Sequence, residues 1–204
     1  MQLRLVLTLT AFSLAIIQAQ APKPEDIKLR GDRFKPLAYG DLGPEQKTLI
    51  QDALKGAVPT VNGPYNILLR SPEMGDLAHQ FGAYTRFRSS VPAKLNELGI
   101  IMAAKFWKSE FVWQAHRRAA VAAGLSASTA DAIAEGKRPP SLQPDEEAVY
   151  NFCDELLNKK QVSDTTFAAA KDKLGERGVV DLVAAMGYFQ FVSMLLNVDR
   201  YPLQ

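Results

Sequence analysis

Two ionisable side chains stand in surroundings that make a charge costly, and they are the first candidates for chemistry. Glu97 lies in the run Leu95-Asn96-Glu97-Leu98-Gly99-Ile100-Ile101. At helical spacing it shares a face with Ile100, Ile101 and Ala104. A carboxylate there is costly unless it is hydrogen-bonded or paired. His116 follows Val112 by four residues and Ser109 by seven, so the three share a stripe, with Trp113 close to it. An imidazole in an alanine- and tryptophan-lined groove exchanges protons near neutral pH. Glu97 and His116 are therefore the candidate catalytic pair, and Trp113 is a candidate wall of the site. Each also has a plainer reading: a satisfied core histidine, a structural acid paired with arginine or a helix end, and a packing tryptophan. Glu110, six residues before His116, lies about 240° around the helix and falls off that stripe. It reads as a first-turn acid favoured by the helix dipole. His79, beside Gln80, is expected on an exposed flank, and Cys153, between Phe152 and Leu156, in the core.

Other chemistries find no support. There is no G-x-S-x-G, no phosphate-binding glycine loop, no H-E-x-x-H and no C-x-x-C. Two histidines cannot form a histidine-rich metal site within one subunit, so no metal and no cofactor is expected. One cysteine makes neither an internal disulfide nor a two-thiol redox couple. The formal charge of +2 over 204 residues, with scattered basic side chains, argues against a nucleic-acid surface. At 47% hydrophobic and 23% charged residues, the chain has the composition of an ordinary globular domain.

The elements that must carry the pair are helices. Pro44, Ser71-Pro72-Glu73, Ser90-Val91-Pro92, Ser109, Ser126, Pro144 and Ser163-Asp164 all read as helix starts. Leu49, Ile50, Ala53 and Leu54 form one apolar face; Met74, Leu77, Ala78, Phe81 and Tyr84 form another. Leu95, Leu98, Ile101 and Met102 form a third, and Val149, Phe152, Cys153, Leu156 and Leu157 a fourth. The segment opened at Ser163 is expected to close near Gly175, before a last helix from about Arg177 to Val198 with Val180, Val183, Met186, Phe189 and Leu195. Residues 57–69, with Pro59, Gly63 and Pro64, read as a long loop. No useful alternating pattern or solenoid repeat appears, so the expectation is a single all-α, multi-helix domain over residues 43–204. Residues 22–42 read as a linker or N-terminal arm. Residues 1–21 read as a signal peptide: Arg4, an uncharged run from Leu5 to Ile17, then Ala19-Gln20-Ala21. That run is short for a membrane span, and no later stretch reads as one. The expectation is an exported protein that leaves the membrane once the signal is cleaved.

Four segments together carry a resemblance. They are Asn62-Gly63-Pro64 through Ser71-Pro72-Glu73, Lys94-Leu95-Asn96-Glu97-Leu98, Ser109-Glu110-Phe111-Val112-Trp113-Gln114-Ala115-His116, and Ala123-Gly124-Leu125-Ser126. In order and spacing, from about residue 40 to 198, the chain resembles the carboxymuconolactone decarboxylase family, whose fold is alkylhydroperoxidase D-like. The resemblance implies an all-helical domain that assembles as a homo-oligomer, a trimer or hexamer. It also implies one of two chemistries. Peroxidase members use a C-x-x-C pair with a Glu and a His relaying protons. Glu97 and His116 match the relay, but Ser109 and Val112 stand where the cysteines would be, and neither supplies a thiolate. Decarboxylase members remove CO2 from a lactone acid without a cofactor. On that reading His116 donates the proton, Glu97 sets its tautomer and charge, and Ser109 and Trp113 contact substrate. Arg86 and Arg88 are then candidate carboxylate clamps, or else solvated surface arginines. Val112 replaces the usual acid before the tryptophan, and the export signal is unlike the cytoplasmic route of the name-giving lactone. The sequence thus points to a related cofactor-free reaction on a small organic acid or lactone. A peroxidase relative without thiols and a non-catalytic binding or assembly protein are the alternatives.

Overall fold

The computed structural model describes residues 22–203; the signal-peptide reading of residues 1–21 lies outside them. The described residues form eight α-helices and two short 3-10 turns, with no strand among them. The helices are α1 (Pro44–Lys55), α2 (Tyr65–Leu68), α3 (Pro72–Phe87), α4 (Ala93–Phe106), α5 (Glu110–Ala122), α6 (Ala127–Ala134), α7 (Pro144–Lys159) and α8 (Asp164–Asp199). Proline opens α1, α3 and α7 at a position where its missing N–H costs nothing. Ser126 and Ser163 cap α6 and α8 by accepting from the N–H groups of Thr129 and Thr166. Ser71 and Ser109 occupy N-cap positions without making that bond. Gly175, with φ 69°, breaks the helical path inside α8 where the sequence places a boundary between two helices. Residues 57–69 are not all loop, because they contain α2.

Helix α4 is the axis of the domain and packs against α5, α6, α7 and α8. Leu98, Ile100 and Ile101 are wholly buried, each worth about 1.5–3 kcal/mol. One side of the core gathers α1, α2, the arm and the end of α8; the other gathers α4, α6, α7 and the middle of α8. Residues 22–42 wrap this body. The N–H groups of Asp32 and Phe34 donate to Asp199 Oδ1 at the end of α8, at 3.2 and 2.8 Å. Asn66 on α2 donates to the carbonyl of Phe34 at 2.7 Å.

Two apolar faces differ from expectation. On α3 the buried residues are Gly75, Ala78, Gly82 and Thr85, while Met74, Leu77 and Phe81 are exposed. Small residues let backbones approach: a Cβ on Gly82 would stand 2.4 Å from the Tyr188 hydroxyl. On α8, Val180 and Val183 face outward, and Val179, Leu182, Ala185 and Met186 face in. Helix α8 also corrects the expectation that no later stretch is long and apolar enough to span a membrane. It meets that test, with an 18-residue window of mean hydropathy 1.8, half of it buried against the protein.

Asp181 ties α8 to the turn between α3 and α4. It is 4% exposed and accepts from Ser90 N–H and Oγ–H, both at 2.7 Å, and from Tyr84 Oη–H at 2.9 Å. Burial alone would raise its pKa, but these hydrogen bonds, helped by Arg177, hold it below its ordinary value of 3.8. A depressed folded pKa contributes stability at neutral pH that is lost as pH falls below the ordinary value towards the folded one. Thermal unfolding from pH 7 down to about pH 2 is therefore expected to show a steeper loss in the wild type than in Asp181→Asn, which starts less stable. Parallel curves would remove Asp181 as the cause.

Candidate active site

The predicted pair is assembled. Glu97 from α4 and His116 from α5 meet with Oε2 2.7 Å from Nδ1. Their side chains are 13% and 8% exposed. The pair forms because α4 and α5 are sequential neighbours packed along their length. A carboxylate only accepts, so Nδ1 carries the hydrogen and Nε2 is left as the reactive nitrogen. Phe189 from α8 fixes the other side of the imidazole, edge to face at 4.3 Å between centroids.

His116 borders a cavity of about 250 Å³. The end of α1 and the loop after it, α2, α3, α5 and α8 all contribute to its walls, which are mostly apolar. Glu97 is not in the lining and stands behind His116. Arg86 is in the lining, as one of the two predicted clamps. Arg88 is not: it caps the end of α3 and stacks over Tyr84, 5.5 Å from the ring centre. Two residues separate the arginines, about 200° of helix, so one helix cannot aim both into one site.

Trp113 and Ser109 do not reach the cavity. Helix α5 offers it Phe111, Val112, Ala115 and His116. At about 100° per residue, Trp113 and Ser109 lie beyond the edge of that arc, on the His116 side. Both border a separate shallow depression with Lys105, Lys108, Glu110 and Ala134. Trp113 instead packs between the two halves of the core, and Ser109 is buried.

Three cavity residues escaped the sequence reading. His79, expected on an exposed flank, is half-buried in the wall, with Nδ1 sharing a hydrogen bond of 2.8 Å with the Tyr65 hydroxyl. Tyr65 lies on α2, within the segment read as loop. Tyr188 lies on α8 beside Phe189, with ring centroids 5.1 Å apart. Burial pushes the Tyr188 phenol up to about 12, against the pull of Arg86. Tyr65 is raised too, first by burial and then by Tyr188, again against Arg86. Both therefore remain protonated donors at neutral pH. The one cysteine, Cys153, is wholly buried in α7 outside the cavity, and burial raises its thiol. No group of three or more His, Cys, Asp or Glu arranged to hold a metal occurs among the described residues.

No known family model matches the chain, and no curated protein matches it. Its structure is similar to that of a protein of unknown function from Agrobacterium tumefaciens, described as a candidate antioxidant defence protein AhpD. The TM-score is 0.59 at 16% identity, over 68% of this chain and 97% of the other. The chain has an AhpD-like fold. At this identity the likeness is one of fold, and it agrees with the carboxymuconolactone decarboxylase-type architecture implied by the four sequence segments. Within the AhpD-like frame, Val112 borders the cavity and Ser109 does not, so the positions matched to the two cysteines do not both open on it.

Proposed function

We propose that this protein is an enzyme of cofactor-free proton transfer, acting on a small organic acid or lactone with His116 as the acid–base group. The observation that carries this reading is the 2.7 Å Glu97–His116 contact at the wall of a 250 Å³, mostly apolar cavity. Loss of CO2 leaves a carbanion or enolate, and opening of a lactone frees an oxygen; both need a proton delivered at a fixed place. An imidazole whose Nδ1 hydrogen is held by a carboxylate presents Nε2 for that purpose, and Glu97 balances the charge when Nε2 is protonated. A thiol peroxidase reading lacks its nucleophile, since Cys153 has neither a second cysteine nor access to the cavity.

The test is a screen of small lactones and carboxylic acids against the mature protein, reading CO2 release, ring opening and thermal shift together. Turnover that disappears in His116→Gln supports the reading. Turnover that survives it removes His116 from the mechanism. If no compound turns over while several bind, the non-catalytic alternative replaces it.

Export and self-association belong to the same proposal. Arg4, the uncharged run Leu5–Ile17 and Ala19-Gln20-Ala21 support cleavage of a signal. Met74, Leu77 and Phe81 on α3, with Val180, Val183 and Val198 on α8, are apolar side chains left exposed at helical spacing, which supports a homo-oligomer such as a trimer or hexamer. Intact mass and light scattering of the exported protein are expected to give a chain shortened by about 20 residues in a closed assembly. A full-length monomer would overturn both.

A further inference from the structure

The cavity has polar groups besides His116, and their charges limit what fits. Arg86 is the one lining residue with a permanent charge; no Asp or Glu lines the cavity. No acid lies within ion-pair distance of Arg86 among the described residues. Beside it is the hydroxyl of Tyr188, a residue 9% exposed whose Oη has no hydrogen-bond partner among the described residues. The hydroxyl opens on the cavity with no partner from the protein, so it is free to donate to an acceptor that enters there. Tyr65 and His79 complete this polar patch and are already bonded to each other. Gly82 keeps it open, because a Cβ there would collide with the phenol at 2.4 Å.

We propose that Arg86 and the Tyr188 hydroxyl, backed by the Tyr65–His79 pair, form an oxyanion site that takes the single carboxylate of a small, mainly apolar monocarboxylic acid. This rests on the reading of the cavity as a substrate site and adds where the charge of the substrate goes. A guanidinium and a phenol both donate, and a carboxylate accepts from both with strong charge-assisted bonds. A second carboxylate would find no other permanent cation, because any charge on His116 is already balanced by Glu97, and it would lose its hydration against Phe189, Phe111 and Val192. The cavity of about 250 Å³ has room for a small molecule, and Phe189 lies between its two polar ends. Centroid steps of 4.3 Å from His116 to Phe189 and 5.1 Å from Phe189 to Tyr188 separate the imidazole from the phenol. A ligand anchored by its carboxylate at Arg86 lays its apolar body over Phe189 and brings its other end to Nε2 of His116.

The experiment is calorimetric binding of three matched probes: benzoate, benzamide and terephthalate. Benzoate is expected to bind the wild type at least about tenfold more tightly than either of the others. Arg86→Gln is expected to weaken benzoate by about tenfold or more and Tyr188→Phe by about threefold to tenfold, with benzamide unchanged in both. Arg86 is exposed, so its replacement leaves the fold intact even if Tyr188→Phe unfolds. His116→Gln is expected to keep benzoate affinity within about twofold, which separates this proposal from the catalytic one. Equal affinity for benzoate and terephthalate, unchanged benzoate binding in Arg86→Gln, or no benzoate binding at millimolar concentration would each overturn it.

Discussion

Replacing His116 by glutamine is expected to lower turnover by about 10²–10⁴-fold, the usual contribution of a positioned acid–base group, while helix content and Tm stay near wild type. Glutamine is the informative choice. Its amide still donates to Glu97 Oε2, so the half-buried carboxylate keeps a partner, yet it moves no proton near neutral pH. His116→Ala is expected to lose the same turnover and, in addition, about 1–3 kcal/mol of stability, because Glu97 is left without its donor. The two variants separate chemistry from folding. Equal activity loss with unequal stability loss identifies the imidazole as the acting group. Activity retained in the glutamine variant, measured as kcat/KM on any substrate from the screen, would assign His116 to the core.

The helical skeleton was legible because its signals are local. Proline at the first position of α1, α3 and α7, serine before α6 and α8, and glycine at 175 each act within one turn. The faces of α1 and α7 were legible too, since large apolar residues recur there on one side and are buried, whereas α4 is buried all round from Leu98 to Ala104. The inward face of α3 was not legible. Hydrophobicity picks Met74, Leu77 and Phe81, yet Gly75 and Gly82 let α1 and α8 come so close that the large side chains are turned out. The glycine face wins because the closer approach leaves no room for a side chain between the helices.

The candidate site divides in the same way. Glu97 and His116 were findable because each breaks an apolar surrounding on helices adjacent in the chain. Arg86 and Arg88 were named together, and only the buried Gly75–Gly82 face of α3, which the sequence did not reveal, turns Arg86 rather than Arg88 to the cavity. Tyr65, His79 and Tyr188 required knowledge of which distant elements border one cavity, and they stand 14 to 123 residues apart in the chain. The one available signal was Tyr65 itself, an aromatic residue just after Asn62-Gly63-Pro64 in a segment otherwise read as loop. Ser109 was drawn in by its seven-residue spacing from His116 and Trp113 by its nearness to that stripe, but the arc of α5 that faces the cavity ends at His116 and leaves both outside.

Glu97→Gln tests whether the carboxylate does more than hold the ring. The amide is close in size and still accepts through Oε1, so the 2.7 Å contact and the packing of α4 on α5 survive. Two things change. A carboxylate accepts only, which fixes the hydrogen on Nδ1; an amide also donates, so the ring can be held with either nitrogen protonated. And the negative charge that compensates an imidazolium during proton transfer is gone. Turnover is therefore expected to fall by about 10²-fold or more with KM nearly unchanged, since Glu97 stands behind His116 and does not line the cavity. The ring nitrogens supply an independent signature. In the wild type, nitrogen NMR of the neutral imidazole should show a protonated Nδ1 and a free Nε2; in the variant it should show a mixture. A variant that keeps kcat, or that keeps a single Nδ1–H tautomer while losing it, would show that the charge and the tautomer are not what Glu97 contributes.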